Sequence, residues 1–430
     1  MLRTICFLVI VLSVAVGATA AQPAELVVQA PAELEPAIAA LYAALGGADA
    51  LTFADEGAHI VVTGEPDAAA LNTVYFLPDA ALALQADNDA ARQLMAFAIS
   101  PDGQQVLIDL GLLPAVVTVT DQAGFTVDVP QPVRGVVSPY SLVTYMVYIA
   151  GAGDRLLAAG FLGARDPQGA AAMERIDPRF PELAASDMNQ NNANVEEIAR
   201  LAPDVILSAA RADWLEPVDQ LAIPIVRFEG ESIEALKDGV LLTGQILGPD
   251  AARRAQMWVD YYDRVVSEVL AISEQVETPV RVLFTGTQAT RVASGEMYQS
   301  AIIEAAGGES VTSELPGYWN DVNLEQIALW NPDVILVPPY GGASVEAITE
   351  SPEWQLLDAV RNGAVYRVPK LVAPWDTPTP DSVLGIIWIA ELLYPDLFGL
   401  NCAGETRYFY DTFYDYAISD DEVAMLCGQP

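Results

Sequence analysis

One fourteen-residue phrase occurs twice. Residues 194–207 read NVEEIARLAPDVIL and residues 323–336 read NLEQIALWNPDVIL, with nine of fourteen positions identical and 129 residues between the copies. A repeat at that distance is too long for a solenoid and marks two structural copies of one α/β unit. Each copy carries the same local logic. Asn194 or Asn323 can accept a free backbone N–H at a helix start. Glu196 or Glu325 then lies in the first turn, where the helix dipole tolerates an acid. Pro203-Asp204 or Pro332-Asp333 ends the helix and launches a buried Val-Ile-Leu strand.

The stretches around the two copies alternate strand and helix signals, which predicts parallel sheets covered by helices. The first unit opens with VTVTDQAGFTVDVP, a hairpin pattern turning at Asp121–Gly124. It continues through Gly135–Ser138, a buried helix at Leu142–Ala150, Val205–Leu207 and Ile223–Phe228. The second runs from Arg281 through Val334–Val337 and Val365–Val368 to a helix at Asp381–Leu393. Between them Trp258, Tyr262, Val265, Val269, Ile272 and Val276 form one apolar stripe, predicting a helix over Asp250–Val276 that Pro279 terminates. At 1.5 Å per residue it would be about 40 Å long, enough to cross the back of two lobes.

The expected class is therefore α/β: two doubly wound lobes bridged by a single long α-helix, plus a small N-terminal α/β unit. The expected divisions are 1–20 signal segment, 21–116 small unit, 117–248 first lobe, 249–278 bridging helix, 279–399 second lobe and 400–430 tail. In the small unit, strands are expected near Leu26, at His59–Thr63 and at Thr73–Leu77. Helices are expected at Glu33–Leu45, Asp89–Ile99 and Gly103–Leu110, the last capped at Ser100-Pro101-Asp102 and ended by Gly111.

The first twenty residues have a basic end, an apolar Ile5–Val16 stretch and a small-residue Ala18-Thr19-Ala20, the pattern of an export signal cleaved after Ala20. Cys6 lies inside that stretch, so it is not the lipid-bearing cysteine that follows a cleaved signal. An exported, periplasmic or extracellular monomer is expected. Ser382–Leu400 is apolar, but Glu391, Pro395 and Asp396 interrupt it as a membrane span. In an oxidising compartment Cys402 and Cys427 are expected to form a disulfide, with two buried thiols as the alternative.

The chain has 58 acids against 20 bases and a net charge of −38, and its only lysines are Lys237 and Lys370. Such a surface argues against nucleic acid, since phosphate binding needs basic patches. The only histidine, His59, lies in the small unit, so neither lobe offers the imidazoles of a bare zinc site. No resident metal or cofactor is expected. A histidine base, GxSxG, a phosphate loop and a free cysteine nucleophile are all missing from the lobes, which argues against an enzyme. Carboxylate-only catalysis and an extracellular sensor remain alternatives.

The ordered set TDQAGFTVDVP, RGVVSPY, GAGDRLLAAG, the two repeated phrases and AAGGESV resembles the iron-chelate and cobalamin substrate-binding proteins of ABC importers, over residues 117–400. The ending PWDTPTPDSVLGIIWIAELLYPDLF is similar to a subgroup associated with haem, iron chelates and molybdate or tungstate. LVVQAPAELEPAI and SPDGQQVLIDLGLLP resemble the ends of a shortened molybdate-type binding protein.

The resemblance implies capture of a siderophore, haem or related metal complex between the lobes, with a molybdate or tungstate oxyanion as the alternative. It also implies partnership with a membrane permease and ATPase, docked through Glu196 and Glu325; otherwise these acids are only helix-start residues. Ligands of such sheets bind at the strand C-terminal ends. Those ends offer Tyr140, Arg165, Arg211 and Trp214 on the first lobe. On the second they offer Arg291, Tyr298, Trp319, Tyr340 and Trp375. Arginine forks suit carboxylates or oxyanions, and aromatic faces suit a large flat ligand. Tyr140, Tyr298 and Tyr340 are also candidate haem-ligating tyrosines.

Overall fold

The computed structural model describes residues 25–428 except 48–49, 65–71, 163–165, 187, 190, 213–214 and 398–400. The expected export signal lies outside them, as do Arg165 and Trp214. Among the described residues no helix is long and apolar enough to cross a membrane.

The small unit is a five-stranded sheet. Its strands are β1 (Leu26–Gln29), β2 (Leu51–Phe53), β3 (Ile60–Thr63), β4 (Thr73–Leu77) and β5 (Ala80–Leu84), in the order β2-β1-β3-β5-β4. Its helices are Glu35–Ala44, Asp89–Ile99 and Pro101–Asp109. The strand β5, sequence AALAL, has a helix-favouring composition. Antiparallel pairing with both β3 and β4 overrides that preference.

The hairpin β6 (Val116–Thr120) with β7 (Thr126–Pro130) leads into the first lobe. That lobe's sheet holds β8 (Val136–Ser138), β9 (Leu156–Ala159), β10 (Val205–Ala209) and β11 (Ile225–Phe228), all parallel. The second lobe holds β12 (Arg281–Phe284), β14 (Glu309–Ser310), β16 (Val334–Val337) and β17 (Val365–Arg367), also parallel. A two-stranded ribbon of β13 (Arg291–Ala293) and β15 (Trp319–Asp321) is attached to it.

The spatial orders β11-β10-β8-β9 and β14-β12-β16-β17 are the same path read from opposite edges. In both lobes the first strand lies between the second and the third. The repeated phrase occupies the same place in each, as the helix entering the third strand (Val195–Leu201 into β10, Leu324–Trp330 into β16).

The repeat does more than end a helix. Both helices close on a left-handed residue, Ala202 (φ 47°) and Asn331 (φ 42°). Asp204 Oδ2 then accepts the backbone N–H groups of Arg134 (2.7 Å) and Gly135 (2.8 Å) at the entrance to β8. Asp333 Oδ2 accepts the N–H of Arg281 (2.9 Å) at the entrance to β12. Each aspartate thus registers the third strand against the first.

The bridging helix is Pro249–Ser273, with Trp258, Tyr262, Val265 and Val269 fully buried. It stops three residues before the expected Val276. Gly248 (φ 111°) lets helix Ile233–Leu247 fold back against it. Gly244 allows their close approach, because a Cβ there would lie 2.6 Å from that of Ala255.

The tail is built into the core. Helices Cys402–Tyr414 and Asp420–Cys427 are joined by a Cys402–Cys427 disulfide with Cα atoms 5.7 Å apart. The first of them buries Phe409, Tyr410, Phe413 and Tyr414. Tyr410 (2.9 Å) and Tyr414 (2.6 Å) both donate to the fully buried Asp381 carboxylate ahead of helix Ser382–Leu393. Arg254 of the bridging helix reaches the Thr412 (3.3 Å) and Phe413 (3.2 Å) carbonyls. The tail helix therefore runs alongside the bridge and packs on both lobes' core.

Candidate functional site

The C-terminal ends of β8, β10 and β11 open onto a cavity of about 480 Å³. Tyr140 follows β8, Arg211 follows β10, and Glu229-Gly230-Glu231 follows β11, where Ser232 caps the next helix by accepting the Ala235 N–H (3.0 Å). Glu296, from the loop after β13, supplies a wall from the second lobe, so the cavity lies between the lobes.

One contact shows how the facing surfaces meet. The Arg211 guanidinium lies 4.9 Å from the ring centroid of Tyr318, just ahead of β15. The Tyr340 hydroxyl, after β16, is driven well above its usual range by desolvation first and by Asp376 next, with Glu231 adding to the rise.

The site's electrostatics follow from burial and acidity. The Tyr140 hydroxyl is driven well above its usual range, by desolvation first and then by Glu231, with Arg211 opposing. Glu231 is itself raised by desolvation, again against Arg211. Three carboxylates (Glu229, Glu231, Glu296) thus line the cavity with one guanidinium among the described residues.

Tyr340 donates to the Oδ2 of buried Asp376 at 2.6 Å. Gln299 Nε2 donates to the Asp376 backbone carbonyl at 3.0 Å. Burial pushes the Asp376 carboxyl up to about 6, against the hydrogen bond from Tyr340. This pair holds Tyr340 in place on the second lobe.

Of the residues expected at the cleft, Tyr140 and Arg211 line the cavity together, whereas Tyr340 does not line it and bonds Asp376. Trp319 is half-buried and packs against Gly286, where a Cβ would lie 2.8 Å from its ring. The Arg291 guanidinium lies 4.0 Å from the Asp321 carboxylate across the β13–β15 ribbon, so its charge is partly committed.

Two of the expected residues lie in the core and not on the cavity wall. Tyr298 is fully buried, sharing its hydroxyl with Tyr262 (3.1 Å) and Ser382 (2.6 Å), so it ties the bridging helix to the second lobe. Trp375 is also fully buried, its backbone so close to Gly385 that a Cβ there would meet its carbonyl at 2.3 Å. In both cases an aromatic near a strand end was needed to fill space beneath the site.

The acids Glu229 and Glu231 were missed. Their signal was available, since the FEGES segment directly follows a strand at its C-terminal end. Among the described residues no group of histidine, cysteine and acids is arranged to hold a metal ion.

Glu196 and Glu325 lie far down in the sequence order of each lobe but in equivalent places, exposed in the first turn of the repeated helices. Asn194 accepts the Glu196 (3.0 Å) and Glu197 (3.1 Å) N–H groups, and Asn323 accepts that of Gln326 (2.8 Å).

Residues 172–371 match the periplasmic binding protein family. The molybdate-binding protein of Haemophilus influenzae is 23% identical over 274 residues, covering 58% of this chain and 78% of that protein. The vitamin B12-binding protein of Pectobacterium atrosepticum is 27% identical over 221 residues, covering 49% and 73%. A periplasmic solute-binding protein from Veillonella parvula superposes with a TM-score of 0.64 at 23% identity, over 72% of this chain and 96% of its own. The repeated lobes and the bridging helix thus share the fold of these solute-binding proteins, and residues 172–371 match the periplasmic binding protein family model.

Proposed function

We propose that this protein is the exported substrate-binding component of an ABC importer, and that it captures an iron chelate (siderophore or haem) or a related metal complex between its lobes. The observation that carries this reading is the inter-lobe cavity at the strand C-terminal ends, walled by Tyr140 and Arg211 on one side and Glu296 on the other. Among the described residues a bare oxyanion there would meet three carboxylates for one guanidinium. A complex offering hydroxyl or amine donors, or a positive metal centre, is better matched. The Arg211–Tyr318 contact bridges the two sides, so a ligand larger than about 480 Å³ requires the lobes to part.

A molybdate or tungstate cargo is the second reading, favoured by the likeness to the Haemophilus influenzae protein. Calorimetry of the mature protein against ferric siderophores, haem, cobalamin, molybdate and tungstate separates the two. Binding confined to the oxyanions would overturn the chelate reading, and silence across the panel would overturn both.

Delivery to the permease is assigned to Glu196 and Glu325. Both are exposed, they form no ion pair among the described residues, and each lobe presents one of them. Acids placed this way suit salt bridges to a permease's basic residues. Reversing both, Glu196→Arg with Glu325→Arg, should abolish uptake while leaving ligand affinity intact. Unimpaired uptake would remove the assignment.

A further inference from the structure

Among the described arginines, nearly all are answered by a carboxylate within 4.0 Å or by backbone carbonyls. Arg155 bonds the Leu247 (2.6 Å) and Ile99 (3.2 Å) carbonyls, and Arg254 bonds those of Ile149, Thr412 and Phe413. Two are not answered this way. Arg211 lies over Tyr318 in the inter-lobe cleft, and Arg253 lies over Tyr75 with its guanidinium carbon 5.7 Å from the ring centroid. In a chain with 58 acids against 20 bases, a guanidinium left without an acid calls for a physical reason. In the first case the reason is a cavity. The second has one too.

Arg253 lines a separate cavity of about 390 Å³ where the small unit meets the bridging helix and the hairpin. Tyr75, Pro78, Ile108 and Leu113 give it apolar walls, and Ala252 with the start of the helix closes one side. Gln104, Gln245 and Gln256 add neutral hydrogen-bonding groups but no carboxylate. The walls are fixed in place. Tyr75 N–H donates to Asp250 at 2.9 Å, Arg134 pairs with Asp102 at 2.5 Å, and Arg155 ties Ile99 to Leu247. The small unit is thus tied to the first lobe and to the bridging helix around this space.

We propose that this junction cavity is a second ligand site, for a small organic carboxylate with an apolar body. The body would lie against Tyr75, Pro78, Ile108 and Leu113. The carboxylate would take the Arg253 fork near the N-terminal end of a 25-residue helix, where dipole and guanidinium act in the same sense. The site is independent of the cleft: nothing in it depends on which cargo the lobes carry.

Decanoate is the probe, titrated by calorimetry and by thermal melting of the whole mature protein. Saturable binding that raises the melting temperature is expected, since a ligand taken only by the folded state stabilises it. Arg253→Gln should weaken it about tenfold, the scale of losing one charge-assisted pair. Ile108→Trp, which fills the cavity, should abolish it. Arg211→Gln, in the cleft, should leave decanoate binding unchanged. The melting temperature of each variant without ligand checks that it folds. Decanol binding as tightly as decanoate, unchanged affinity in Arg253→Gln, or survival of binding in Ile108→Trp would each overturn the proposal. So would the absence of saturable binding.

Discussion

Arg211 of the first lobe lays its guanidinium over the ring of Tyr318 of the second, 4.9 Å from the centroid, and so makes a cation–π contact across the cleft. Such a contact at an exposed position contributes about 0.5–1 kcal/mol. Tyr318→Ala should therefore weaken cargo binding only about two- to fivefold, through looser closure. Arg211→Ala should cost more than tenfold if the guanidinium also meets the cargo. Equal small losses in the two variants, measured by calorimetry, would confine Arg211 to latching the lobes.

Stability should increase on mild acidification. Asp376 and Asp381 are fully buried, and desolvation raises each from 3.8 to about 6. A carboxyl raised on folding binds its proton more readily in the native state. Its stabilising contribution is full below about pH 4 and is lost as pH rises through about 6. Each contributes on the order of 2–3 kcal/mol across that window. The melting temperature should rise from pH 7.5 to about 5, and Asp381→Asn should flatten the profile. Below about pH 4 the trend reverses, because the carboxyls of Asp177 and Glu422 are held low by Arg179 and by the Ser419 and Tyr416 hydrogen bonds respectively, and lose those partners on protonation.

Asp204 and Asp333 should be equivalent in effect, being the same device in two lobes. Asp204→Ala leaves the Arg134 and Gly135 N–H groups without their acceptor, and Asp333→Ala does the same to Arg281. A loss of about 1–3 kcal/mol is expected for each, read by urea denaturation. A loss below 0.5 kcal/mol in both would show that the repeat's Pro-Asp matters only for stopping the helix.

The Cys402–Cys427 bridge closes a loop with a sequence separation of 25. Replacing both with serine should lower stability by about 2–4 kcal/mol. Since the tail helix carries Tyr410 and Tyr414 to Asp381, the same variant should also shift the acid-dependent rise in melting temperature. An unchanged pH profile would show that the tail stays docked without its clamp.

The repeated phrase was enough to establish two α/β copies, and the apolar stripe from Trp258 to Val269 was enough to place a helix between them. Both signals are local: caps, helix period and a Pro-Asp stop act within a few residues of where they are written. The composition of the lobes also argued against a bare zinc site without any fold, because they contain no histidine.

The cleft depended on tertiary structure. Tyr298 and Trp375 sit near strand ends as Tyr140 does, yet the first two fill the core and Tyr140 lines the cavity. A large aromatic carries the same signal in sequence for either role. Only the neighbouring helices Pro249–Ser273 and Ser382–Leu393, arriving from far along the chain, decide which rings are covered. The Arg253 cavity is of the same kind. No local pattern marks it, since its walls come from three segments that meet only when the small unit docks. The sequence by itself determined the two lobes and their bridge, because local rules specify them. Burial at a distance decided what each lobe presents to a ligand.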